Sequence, residues 1–152
     1  MQPPDGTSLL GHVIVLGAVS GMRSMLGLAL LAGLGGPSLG WLSNLWARII
    51  LALAAAAEIV NDKLPKTPSR LAPAPFIGRL VLGGVCGALL MWRGQASLWI
   101  GGGLGAVSAA GGAVLGYRVR SYLGRKSGWP DPWFGALEDA VAIALGVWAV
   151  LT

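Results

Sequence analysis

Five long apolar runs, separated by short stretches that hold much of the charge, constrain this chain more than any other feature. A helix crossing about 30 Å of hydrocarbon at about 1.5 Å per residue needs roughly 20 apolar residues. Runs at 9–34, 42–60, 75–92, 97–118 and 133–151 meet or approach that length. Composition agrees, since 152 residues that are 55% hydrophobic and only 11% charged lie outside the range of soluble domains. Most of the 25 glycines fall inside the apolar runs, without a three-residue period, which excludes collagen-like and disordered chains. The pattern predicts an all-α, polytopic helical membrane protein of about five transmembrane spans, a single integral membrane domain over 1–152. The net charge of +5 comes from cations between or at the edges of the runs, so the expected partner is the lipid bilayer and not nucleic acid.

The first run is too long for one crossing, so it is expected to tilt, or to break near 33–36 into a span and a short re-entrant piece. No basic residue precedes it and no small-residue cleavage site follows it, so it reads as part of the mature protein. With five spans, the N-terminus and the segments 61–74 and 119–132 share one side. That side carries Lys63, Lys66, Arg70, Arg125 and Lys126, and the other only Arg93. The excess of cations on cytoplasmic loops then places the N-terminus in the cytoplasm and the C-terminus outside the inner membrane. Trp41, Trp92, Trp99 and Trp148 fall near the expected outer interface, with Trp129 and Trp133 near the inner one.

The segment Gly17-Ala18-Val19-Ser20-Gly21-Met22-Arg23 recurs as Gly112-Ala113-Val114-Leu115-Gly116-Tyr117-Arg118, five of seven positions being identical. Arg120 competes with Arg118 as the match to Arg23, because Ser121 follows it as Ser24 follows Arg23. The copies define repeat A at about 9–62 and repeat B at about 97–151, joined by a linking span at about 75–92. Beginning three spans apart, they are expected to cross in opposite directions, as in the inverted repeats of small transporters.

Glycines four apart share a helix face and admit a neighbouring backbone. Gly17/Gly21, Gly83/Gly87, Gly101/Gly105 and Gly112/Gly116 are such pairs, read as packing seams and as the seat of a homodimer. Charge at mid-bilayer costs at least about 2.5–3.5 kcal/mol, so a buried ionisable residue calls for a partner or a role. Arg23 lies well inside the first run with Ser20 and Ser24 nearby, and Glu58 and Asp62 sit one turn apart at the end of the second. An Arg23–Glu58 pair is feasible, with a second pair joining Arg118 or Arg120 to Glu138 or Asp139. These nine residues are the candidates for binding or relaying an ion or polar solute. The alternative is that the pairs only fix helix register. The loop residues Lys63, Pro65 and Arg70 make a rigid basic turn at headgroup level.

Catalysis and cofactors find no support. His12 is the single histidine and lies two turns from Ser20 in the same run, about 12 Å along a helix, so no histidine base serves that hydroxyl. Cys86 and His12 read as packing or interfacial residues, and no metal-binding spacing occurs. Gly21-Met22-Arg23-Ser24, Glu58 through Asp62-Lys63-Leu64-Pro65, Pro68-Ser69-Arg70 and Glu138-Asp139 together resemble a family of small bacterial multi-pass membrane proteins catalogued as domain of unknown function number 4126. The resemblance covers nearly the whole chain and implies class and location without a reaction. A lesser likeness to dual-topology fluoride channels lacks their phenylalanine- and threonine-rich stretch, so their activity does not carry over. The leading expectation is therefore a small transporter or channel, with a non-transporting scaffold or accessory subunit as the alternative.

Overall fold

A computed structural model of the protein describes residues 6–61, 72–127 and 131–152, and every regular element among them is helical. In chain order these are α1 (Gly6–Met22), α2 (Leu26–Leu34), a 3-10 segment (Pro37–Ser43), α3 (Leu45–Asn61), α4 (Pro73–Arg93), α5 (Leu98–Ser127) and α6 (Asp131–Leu151). Three helices are long and apolar enough to cross a membrane: Pro73–Arg93, Leu98–Lys126 and Trp133–Leu151. The 3-10 segment and α3, bent by 69° to each other, make a fourth if counted as one span. Among the described residues, helices long and apolar enough to cross thus number three, or four with the bent pair, and five spans are not confirmed.

The difference lies in the first run. Its chain breaks at Arg23–Met25, and α2 turns back alongside α1. Contacts across the turn show the reversal: Val19 on α1 and Leu30 on α2 both border Gly146 of α6, and Gly27 lies against Ser20. On a straight continuation Leu30 would stand about 16 Å beyond Val19. The break expected near 33–36 is also present, because α2 ends at Leu34 and Gly36 turns the chain with φ 80°. That left-handed value favours a residue without Cβ. The hairpin then leads through the 3-10 segment, whose Leu39 and Leu42 are buried with Leu9, Val13, Met91 and Val150.

Helices α1, α4 and α5 pack through glycine. A Cβ on Gly17 would stand 2.7 Å from the Gly105 carbonyl oxygen, and one on Gly21 would collide with the Ala109 backbone. Gly83 and Gly87 meet Gly105 and Gly101 in the same way, and Gly112 meets Ala18. With no side chain between them, backbones approach closely and dispersion contacts multiply. These seams lie inside one protomer, so they are not available to a partner copy, as the sequence reading had them.

Contact order along the seams fixes direction. Gly17 faces Gly105 and Gly21 faces Ala109 and Ala113, so α1 and α5 run parallel. The two repeat copies therefore lie side by side in the same direction, and the inverted arrangement is corrected. The cause is the fold-back of α2, which leaves the start of α1, where Leu9 lies against Gly94, at the end of the bundle where α5 begins. For the same reason the ends of α1 and α6 meet. His12 packs edge-on against Trp148 with ring centroids 4.9 Å apart, and its Nε2 lies 3.2 Å from the Thr152 hydroxyl. Arg93 donates to the Val150 carbonyl at the same end.

Candidate functional site

The reversal at Arg23–Met25 leaves two helix ends facing inward, the C-terminus of α1 and the N-terminus of α2. Each exposes backbone groups that its own helix cannot satisfy, carbonyls carrying partial negative charge and amides carrying partial positive charge. Neither helix supplies a remedy, since α1 has no basic residue in its last turn and α2 no acidic residue in its first. Other helices supply both. Arg79 of α4 donates from one guanidinium nitrogen to the carbonyls of Gly21, at 2.8 Å, and Met22, at 2.9 Å. Glu58 of α3 accepts the amides of Ser24 and Met25, both at 2.9 Å, and the Ser24 hydroxyl at 2.8 Å. Arg79 and Glu58 also approach each other at 3.6 Å, completing a ring of opposite charges around the tip.

Arg23 itself points the other way. Its side chain is buried, and its Nε donates to Asp139 Oδ1 of α6 at 2.6 Å, with the terminal nitrogen NH2 2.5 Å from the same oxygen. Helices α3 and α6 thus each send one charged residue to the three-residue turn, and α4 sends one to the last carbonyls of α1 before it. The tip lies about 9–12 Å from the ends of α4 and α6 that border the 62–71 and 128–130 segments, and about 18–21 Å from their other ends, at 1.5 Å per residue. Opposite charges brought together between apolar helices offset part of one another's desolvation cost.

The pairing differs from the sequence expectation. Arg23 takes Asp139, not Glu58, so the principal ion pair joins the two halves of the chain and does not close within one. Arg120 and Glu138 line one cavity between α5 and α6, whereas Arg118 is exposed. Ser20 is fully buried and directs its hydroxyl to the Cys86 sulfur at 3.4 Å, outside the charged ring. Asp62, Lys63, Pro65 and Arg70 lie outside the described residues. Arg79 was missed, although the rule that singled out Arg23 applies to it equally: it is an arginine inside an apolar run. Among the described residues no group of three or more His, Cys, Asp or Glu could hold a metal ion.

Beside the tip an open hollow is lined by Ser24, Glu58, Asn61 and the small side chains of α3, including Ala54 and Ala57. The arrangement can hold charge in a dry interior and present a carboxylate and a hydroxyl to a solute at its edge. No protein family, curated protein or solved structure matches this chain.

Proposed function

We propose that this chain is a small multi-pass protein of the bacterial inner membrane that moves a small ion or polar solute past the charged hairpin tip. The observation that carries the reading is the interrupted helix: two half-helix ends meet inside a bundle beside buried Arg23, Asp139, Glu58 and Arg79. Transporter sites are commonly built from such discontinuous helices, whose ends interact with charged solutes or coupling ions. Membrane residence is supported by an inside-out distribution of size. Glycine and alanine fill the seams, while Ile50, Val107, Leu115 and Leu137 remain more than half exposed on outer faces. The resemblance to the family of unknown function supports the same class and location.

Cations orient the molecule in this proposal. Arg118, Arg120, Arg125 and Lys126 occupy the turns of α5 near its C-terminus, and Arg48 and Arg93 lie toward the opposite end of the bundle. Asn61 and Ala72 flank the segment carrying Lys63, Lys66 and Arg70 and end their helices on the Arg125 side. The positive-inside rule then puts that side in the cytoplasm and both the α1 start and the α6 end outside. This replaces the cytoplasmic N-terminus. A homodimer, in the same proposal, uses the outer faces, because the glycine seams are consumed within the protomer.

The second reading, a scaffold, is favoured by one specific feature: Glu58 and Arg79 already cap both half-helix ends, which is what a purely structural hairpin needs. Liposomes containing purified protein separate the two. Flux of protons, halides, metal cations or small organic anions that changes in a stably folded Glu58→Gln variant supports transport. No flux of any of them through folded wild-type protein leaves the scaffold.

A further inference from the structure

The charged tip carries both acceptors and donors, and the fold leaves only the donors within reach of a solute. On the acceptor side, the carbonyls of Gly21 and Met22 are covered by Arg79, which is only 6% exposed. On the donor side, the amides of Ser24 and Met25 and the Ser24 hydroxyl are covered by Glu58, whose side chain is 17% exposed. The open hollow beside the tip is lined by Ser24, Met25 and Glu58 but by neither Gly21 nor Arg79. A solute entering from the hollow therefore meets hydrogen-bond donors at the N-terminus of α2, with the Arg79 guanidinium 3.6 Å from the carboxylate they hold. Such a set binds negative charge.

Charge and shape narrow the class. Arg23 pairs with Asp139 and Glu58 lies against Arg79, so a monoanion in place of the Glu58 carboxylate leaves the charge beside Arg79 unchanged. The rest of the hollow is mostly apolar, walled by Leu53, Ala54, Ala57 and Val60 of α3. It suits a short hydrocarbon tail, which a halide or inorganic phosphate lacks. Glu58 also rides on a lightly held helix. Helix α3 rests mainly on α2 and on the 3-10 segment, to which it is bent by 69°, whereas α1, α4 and α5 meet backbone to backbone. Its last residue is Asn61, so a carboxylate swung off the tip lies within about 5 Å of the helix end along the axis, where water solvates it.

We propose that the solute of the charged tip is a small monocarboxylate, bound by the Ser24 and Met25 amides and the Ser24 hydroxyl in the place of Glu58, whose own carboxylate is a tethered competitor for that position. The inference rests on the transport reading above and adds to it the class of solute and the residue that yields to it.

The test is butyrate binding to the purified full chain in mild detergent, read by titration calorimetry, with butylammonium as the cationic probe of similar length. Wild type binds butyrate weakly, because Glu58 holds the position. With the site open in about a tenth of the molecules or fewer, Glu58→Ala tightens binding at least about tenfold, since apparent affinity scales with the open fraction. Adding Ser24→Ala to Glu58→Ala removes one donor to the carboxylate and weakens butyrate again on the order of tenfold. Should Glu58→Ala not fold, Glu58→Gln keeps the side chain's shape, and butyrate but not butylammonium slows its amide exchange at Ser24 and Met25. Butyrate held no more tightly by Glu58→Ala than by wild type, exchange in Glu58→Gln unmoved by butyrate, or a preference for butylammonium overturns the proposal. Butyrate bound as expected by a protein that carries none of the solutes of the liposome screen removes the transport reading and leaves the anion site. Proton or metal-cation flux through a protein whose Glu58 variants bind no butyrate overturns the anion site and leaves transport.

Discussion

Asp139→Asn removes the charge that answers Arg23 while leaving the side chain's shape almost unchanged. Arg23 is fully buried, and its Nε and one terminal nitrogen both converge on Asp139 Oδ1, at 2.6 and 2.5 Å. Breaking a buried pair from one side costs about 3–5 kcal/mol, because the remaining charge stays desolvated without its counter-ion. The asparagine carbonyl can still accept one hydrogen bond, so the lower part of that range is expected, about 3 kcal/mol. That is a large part of a total stability of about 5–15 kcal/mol, and it raises the unfolded fraction by roughly 150-fold at about 1.4 kcal/mol per decade. Equilibrium unfolding in mixed micelles with increasing dodecyl sulfate reads the loss directly. The decisive comparison is Arg23→Met with Asp139→Leu, in which both charges leave together. It is expected to be more stable than Asp139→Asn alone, since no buried charge is stranded. A loss under about 1 kcal/mol for Asp139→Asn, or a double variant whose cost equals the sum of its single changes, refutes the claim that this pair holds α6 to the tip.

Further outcomes follow from other contacts. Glu58→Gln turns an amide donor toward the Ser24 or Met25 N–H and is expected to cost about 1–3 kcal/mol, seen as faster amide hydrogen exchange at 24–26. Arg79→Met frees the Gly21 and Met22 carbonyls and is expected to loosen the end of α1, measured as increased protease cutting near the tip against an unchanged α5. Gly21→Ala forces a Cβ into the Ala109 backbone and is expected to cost at least about 1–3 kcal/mol, whereas Gly103→Ala, which meets open space, gains up to about 1 kcal/mol from helix propensity. Similar melting shifts for both alanine variants would contradict the seam. Thr7→Cys and Thr152→Cys are expected to react with a membrane-impermeant thiol reagent from the same face, against a low background because native Cys86 is buried. Labelling from opposite faces would restore an odd number of crossings.

What could be read from the residues follows from local rules. Helical class, the glycine faces and the need of Arg23, Glu58 and Asp139 for partners were all legible, because apolar surroundings penalise an unpaired charge at any position whatever the topology. Arg79 was equally legible by that rule but lay in a run that barely reached spanning length. Partner choice was not legible, since a salt bridge across more than a hundred residues depends on which helices end up adjacent.

The sequence by itself determined that these helices exist, that their contact faces are glycine and alanine, and that their charges must meet one another. Only the tertiary structure decided where the first run reverses, because Arg23-Ser24-Met25 contains neither glycine nor proline and has no intrinsic reason to leave the helix. The turn is held from outside: Arg79 and Glu58, brought from α4 and α3, satisfy the opened carbonyls and amides, while Asp139 draws the arginine toward α6. That reversal in turn sets the parallel course of the two repeat copies and brings His12 beside Thr152. A broken helix interior is costly in isolation and stable when two neighbouring helices replace its lost hydrogen bonds and a third pairs with its arginine, which is information that no local window of sequence contains.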